Sequence, residues 1–360
     1  MRRPLSRMVQ ALGAVRAPNL DFAMDRADVL RMWGLRLLPR SAAGMWVGRE
    51  KRAAFLGVTM LLIALSLAIS YPVALVALGP LVYGVPHVLS DIRYLIARPG
   101  LSQRPLFLAS LVIGCSAAFL GLGIRGAFLG AALALVSSRA PAWKKAVGVS
   151  FAAAMYALCH WAGFWADLAF VHLHNFVAVG AWLLWRKRTT HLHWAFAGLF
   201  LLTCAAITLG VHEPILAHTG GLSAPWTDLS FRELVYTVSP TPDKTWSARL
   251  LVLFAFAQAA HYVVWLRLVP EDDRPSAAPR SYRQTYKALV ADVGGVVTWA
   301  ALLTAVAFLV WAVFSIGKAR NGYLSFAFFH GHLEIVALCV LWAEKRFPFF
   351  ASSGVQATSA

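Results

Sequence analysis

Long apolar runs, broken by short basic or turn-rich stretches, set the pattern of this chain. The first, AAFLGVTMLLIALSLAISYPVALVALGPLVYGV, covers residues 53–85 without a charge. About 20 apolar residues cross a bilayer core as a helix, so this run holds two spans, and Tyr71-Pro72 marks the division. Read the same way, the whole chain predicts ten helices, over residues 53–70, 72–92, 105–124, 126–139, 147–165, 167–185, 194–211, 248–269, 292–316 and 323–342. The expected fold is all-α: a polytopic integral membrane helical bundle.

The polar breaks orient it. With Arg2, Arg3, Arg7, Arg49, Lys51 and Arg52 placed in the cytoplasm, the even-numbered connections fall there too. These carry Arg93/Arg98/Arg104, Arg139/Lys144/Lys145, Arg186/Lys187/Arg188 and Arg274/Arg280/Arg283/Lys287, and Lys345 and Arg346 follow in the tail. The odd-numbered connections are short or poor in basic residues, Lys318 and Arg320 excepted. Basic residues collect on the cytoplasmic side, so ten spans with both termini inside the cell inner (cytoplasmic) membrane are expected.

Three regions follow. Residues 1–52 are a cytoplasmic basic arm, in which 22–40 (FAMDRADVLRMWGLRLLPR) mix Leu, Met and Trp with Asp and Arg at helical spacing, as an amphipathic interfacial helix does. Residues 53–346 form the bundle, with its longest loop, 212–247, on the outer side. Residues 347–360 read as a disordered tail.

Composition agrees with a membrane class: 59% of residues are hydrophobic and 14% charged, against about 25% charged in soluble proteins. The net charge of +17 lies at span ends and suits anionic lipid; no recognisable nucleic-acid module is present. The four cysteines (Cys115, Cys159, Cys204, Cys339) lie in predicted spans without metal-type spacing and read as packing residues. Most of the 14 tryptophans belong to interfacial belts and packing. The N-terminal region lacks the form of a secretory signal.

Eleven histidines are present, and their placement carries the chemistry. His191, His193, His212 and His218 sit at a helix end or in the outer loop and read as solvated. His87, His160, His172, His174, His261, His330 and His332 lie inside apolar segments. Ionisable side chains there face the bundle interior and mark functional sites, and imidazole is the commonest nitrogen ligand of transition metals. His160, beside Cys159 and Trp161, reads as a hydrogen-bonding residue between helices; the other six are candidate metal ligands.

Spacing adds two carboxylates. His87 and Asp91 are four apart, as are His330 and Glu334, so each pair can present an imidazole and a carboxylate from one helix face. Asp91 and Glu334 are therefore candidate catalytic groups, as ligands or as orienting partners. His330 and His332, two apart, point about 200° away from each other, so only one of them serves a given ion unless Gly331 loosens the turn. His172 and His174 pose the same choice, with Asn175 as a possible orienting partner. Counted along the spans, His174, His261, His332 and Glu334 lie near mid-membrane; His87 and Asp91 fall nearer the cytoplasmic face, with Pro86 perturbing that count.

The stretch GVPHVLSD (84–91) resembles the Gly-x-Pro-His-Gly-x-x-Asp segment of the Brp/Blh-type bacterial β-carotene dioxygenases, with Val88 at the family's second glycine. These multi-pass membrane enzymes cleave β-carotene to retinal with O2 and a histidine-ligated iron. The resemblance covers this segment and the general spread of intramembrane histidines. It implies that His87 is an iron ligand and Asp91 its supporting carboxylate.

The expected function is a membrane metal-dependent oxidoreductase, an iron oxygenase or oxidase acting on an isoprenoid, carotenoid or acyl chain. Non-haem iron is the expected cofactor, and membrane lipids and a hydrophobic small molecule are the expected partners. Two alternatives use the same histidines: a haem-binding electron carrier, or a transporter passing protons or metal ions. No internal repeat with paired broken helices supports the latter.

Overall fold

The structure is a computed structural model and describes residues 15–37, 45–46, 48–274 and 278–344. The start of the basic arm (1–14), residues 38–40 of the expected amphipathic helix, and the tail 347–360 lie outside the described residues. Among those described, every regular element is a helix.

Helix α1 (Asp21–Arg36) precedes α2 (Arg49–Ser70) and α3 (Pro72–Asp91). Pro72 opens α3 where a missing N–H is harmless, and Tyr71 leaves helical geometry at φ −141°, ψ 57°. The first apolar run therefore divides at Tyr71-Pro72. Helix α3 contains Pro80 and Pro86 and continues through a π turn, Ile92–Ala97. Pro80 has no N–H to give the Val76 carbonyl, and Arg320 Nε donates to that oxygen instead, at 3.0 Å.

Helices α4 (Pro105–Ala117), α5 (Ile124–Val136), α6 (Ala142–Ala162), α7 (Phe164–Leu183) and α8 (His193–Thr208) follow. Glycines let α4 and α5 meet backbone to backbone: a Cβ on Gly114 would stand 2.8 Å from Gly126 O and from Gly130 Cα. The loop 212–247 carries α9 (Glu213–Thr219) and α10 (Phe231–Val238), the latter started by a reciprocal Ser230–Glu233 cap. Helix α11 (Lys244–Val263) runs on through a π turn to Asp272 and packs on α2, α3, α7 and α8. It buries Phe254, Phe256, Ala260, His261 and Tyr262 at the centre of the bundle.

The last third departs from the expected spans. Helix α12 (Tyr282–Phe314) begins ten residues before position 292, because Ser281 and Gln284 form a capping box, and it breaks at Gly294 (φ 83°). The expected helix 323–342 is two helices, α13 (Ile316–Phe326) and α14 (Phe329–Ala343), joined by a turn at Ala327–Phe328. Helix α1 docks on α12: Asp28 Oδ1 accepts from Tyr282 N at 2.9 Å and Arg283 pairs with Asp21 at 2.7 Å.

Seven helical segments are long and apolar enough to cross a membrane: Arg49–Ser70, Pro72–Ala97, Pro105–Leu122, Phe164–Leu183, Lys244–Asp272, Tyr282–Phe314 and Ile316–Ala343. The pair α8–α9, bent by 74°, makes an eighth if it crosses as one unit. The chain is an all-helical protein with the form of a multi-pass membrane protein.

Candidate metal centre

Four imidazoles on four helices meet in the bundle: His87 (α3), His174 (α7), His261 (α11) and His330 (α14). Their ring centroids lie 4.5 Å apart for His87–His261, 5.1 Å for His87–His330, 4.8 Å for His174–His261 and 5.4 Å for His174–His330. His87 and His261 turn Nε2 to Nε2 at 3.0 Å. Sequence counting placed His87 nearer the cytoplasmic face. The π turn lengthens its span to Pro72–Ala97, so the midpoint of that span falls within a turn of His87.

Local structure fixes two tautomers. His330 Nδ1 donates at 2.5 Å to Ala327 O, in the turn between α13 and α14, which also accepts the His330 backbone N–H at 3.0 Å. His174 Nδ1 contacts Val171 O at 3.4 Å. A carbonyl only accepts, so the proton sits on Nδ1 and Nε2 carries a lone pair, as a metal ligand requires.

Two carboxylates complete the group. Asp91 Oδ2 lies 3.4 Å from His87 Nε2, and Glu334 Oε1 lies 4.0 Å from His261 Nε2. His87, Asp91, His261 and Glu334 are each at most 1% exposed. Donor atoms of His87, His261 and His330 lie within 4.8 Å of one another, as do those of His87, Asp91 and Glu334. Two ligands on one ion, each bonded at about 2 Å, stand at most about 4 Å apart. A contraction of under about 1 Å, well within side-chain torsional freedom, closes the set.

Unsatisfied atoms point the same way. Both oxygens of Asp91, Oε1 of Glu334 and Nδ1 of His87 and of His261 are buried without a hydrogen-bond partner. Among the described residues no Lys or Arg pairs with either carboxylate. Buried anions without a countercharge are expensive, and a bound cation with neutral imidazoles around it removes the cost.

Other sequence candidates sit elsewhere. His332 places Nδ1 3.0 Å from Phe328 O and Nε2 3.2 Å from Gly123 O, so both nitrogens face carbonyls on its own side of α14. His172 Nε2 donates to Val238 O at 2.6 Å, tying α7 to α10. Asn175 gives its amide to Val171 O at 3.2 Å. His160 Nδ1 meets Arg125 at 3.0 Å on an exposed face. His212, read as solvated, is buried at 4% exposure.

Glycines set the approach of the helices. A Cβ on Gly84, in the GVPH segment, would overlap the Tyr323 phenol, and one on Gly331 would reach 2.6 Å from Phe170 Cζ. Gly331 thus brings α14 against α7 and leaves the turn helical.

Tyr262 went unnoticed in the sequence, although it follows His261. Its ring stands edge-on to His87 at 5.4 Å, and it also lines a cavity of about 300 Å³ between α2, α3 and α11. Gly79, Tyr83, Gln258 and the apolar side chains of Ala64 and Leu67 share that cavity. The signal was Gln258, a polar residue four before Tyr262 in an apolar run.

The chain matches no protein-family model, no curated protein and no solved structure.

Proposed function

We propose that this chain is an inner-membrane metalloenzyme that holds non-haem iron in its histidine cluster and oxidises a lipid-soluble substrate with O2. The observation that carries the reading is the convergence of His87, His174, His261 and His330 from four helices, with two uncompensated carboxylates beside them. Iron among neutral imidazoles with an open position supplies O2 binding and activation. His174 and His330 offer Nε2, held by their Nδ1 bonds. Asp91 and Glu334 supply negative charge and orient the facing rings of His87 and His261. The surrounding apolar packing excludes water, and the cavity beside Tyr262 admits an apolar chain from the bilayer.

Rings in mutual contact favour a small ion over a porphyrin, whose plane would hold its axial ligands apart and displace the neighbouring rings. In the membrane we place ten crossings with both termini cytoplasmic, α5 and α6 completing the count. Arg320, one of the two exceptions to the basic-residue pattern, is buried in α13 on Val76 O and is not a loop charge, which leaves Lys318 as the single exception and supports that orientation.

Elemental analysis of the detergent-purified protein tests the reading. Wild type should carry iron and lack a Soret band. His87→Ala, His261→Ala and His330→Ala should each lose most of it, while His172→Ala retains it. Equal metal in all four variants, or no metal in wild type after reconstitution with ferrous iron, would overturn the assignment.

A further inference from the structure

Apart from Arg267, the cavity next to Tyr262 is apolar except for three groups without partners. Gln258 is the fifteenth of the 29 residues in the span Lys244–Asp272, so its amide sits at mid-span. Among the described residues neither that amide nor the hydroxyls of Tyr83 and Tyr262 makes a hydrogen bond, and all three residues line the same 300 Å³ space. Gln258 and Tyr262, four apart on α11, share a helix face. Hydrocarbon offers such groups nothing, and an unpaired amide at this depth is costly.

We infer that the ligand of this cavity is an isoprenoid or acyl chain bearing one uncharged oxygen function, a hydroxyl or a carbonyl, held by Gln258 and Tyr262. This rests on the metal-centre reading, in which the cavity is the substrate's place. The Gln258 amide both donates and accepts, and the Tyr262 hydroxyl does the same, so either oxygen function is matched. Because the Tyr262 ring stands edge-on to His87, the held oxygen lies next to the histidine cluster and the chain extends away past Leu67 and Ala64. The charge of the lining, Arg267, stands five residues beyond Tyr262 on the same helical segment, so the groups at the Gln258–Tyr262 pair are themselves uncharged and suit an uncharged oxygen. Gly79 keeps the space open, since a Cβ there would meet Tyr262 Cε2 at 3.6 Å and a longer side chain would fill it.

The test uses the full chain in phosphatidylcholine nanodiscs with three tritiated probes: geranylgeraniol, its aldehyde, and the hydrocarbon lacking the oxygen. Wild type should bind the alcohol or the aldehyde at least tenfold more tightly than the hydrocarbon. Gln258→Leu, which places an ordinary lipid-facing residue at the site, should reduce the preference to under threefold. Gly79→Leu should abolish binding of all three. Equal binding of the three probes by wild type, or a preference unchanged in Gln258→Leu, would overturn the inference. Iron is measured in the same samples. Preference retained in a protein without iron would sink the metal reading and leave this one standing, whereas iron without preference would sink this one alone.

Discussion

Two regions of this molecule bury carboxylates to the same degree and treat them in opposite ways. At the end of α11, Glu271 pairs with Arg52, Asp272 with Arg188 at 2.8 Å, and Asp273 with Arg98. Arg274 adds a second cation to Glu271 at 3.1 Å, and Trp182 Nε1 donates to Asp272 at 2.8 Å. This lattice ties α2, α3, the loop after α7 and α11 together with charges that the chain itself supplies. Asp91 and Glu334, as deeply buried, face imidazoles and each other, and among the described residues no Lys or Arg pairs with them. The difference teaches how to tell structure from chemistry among buried acids. Where the countercharge is built in, the acid holds the fold; where it is missing, the acid is a candidate for chemistry, as in the proposed metal site.

Breaking the lattice should give the largest effect. Arg52→Met leaves Glu271 short of its principal partner in a fully buried place, and should cost about 3–5 kcal/mol of stability. Thermal unfolding in detergent reads this as a large drop in midpoint with or without metal. A loss near zero would place the lattice with ordinary surface pairs.

The same measurement on Asp91→Asn sharpens the contrast through its sign. Asparagine keeps the shape and removes a buried acid that has no built-in countercharge, so the metal-stripped protein should lose no stability. Iron affinity should fall by about 10–100-fold, the usual cost of losing a partner behind a ligating histidine. Destabilisation of the stripped protein by this change would show that Asp91 has a countercharge in the fold.

The smallest effect belongs to a third kind of acid. Asp228, in the loop 212–247, accepts from the Ser315 hydroxyl and the Gly317 N–H at the start of α13. These bonds, the Ser315 hydroxyl first, hold its carboxyl below the ordinary carboxylate range. A lowered folded value means the contribution is present in full above the unfolded value and disappears as pH falls through the folded one, so its pH dependence is confined to below about pH 4. Asp228→Asn should lower stability slightly at neutral pH and flatten that acid limb of the unfolding profile; an unaltered acid limb would refute it.

Sequence periodicity located the helices because a bilayer imposes length and apolarity on each span separately, and both are local properties. Tyr71-Pro72 and the His–x3–carboxylate spacings of α3 and α14 are likewise local and legible, whereas the Ser281–Gln284 cap went unread and that span was begun ten residues late. The turn at Ala327–Phe328 was not, since residues 323–342 read as one apolar run. Nor could spacing choose between His330 and His332, or between His172 and His174. That choice depends on which face of each helix meets its neighbours, and it is set by contacts such as Gly331 on Phe170 and Gly84 on Tyr323.

The chain alone thus determined an all-helical membrane protein with ionisable groups in its apolar helices, because composition and period act within each segment. Tertiary structure alone decided which of those groups share a point. The rings of His87, His174, His261 and His330 meet through the packing of helices up to 243 positions apart in number, from 87 to 330. Such convergence comes from packing between helices and leaves no mark in the period of any single one.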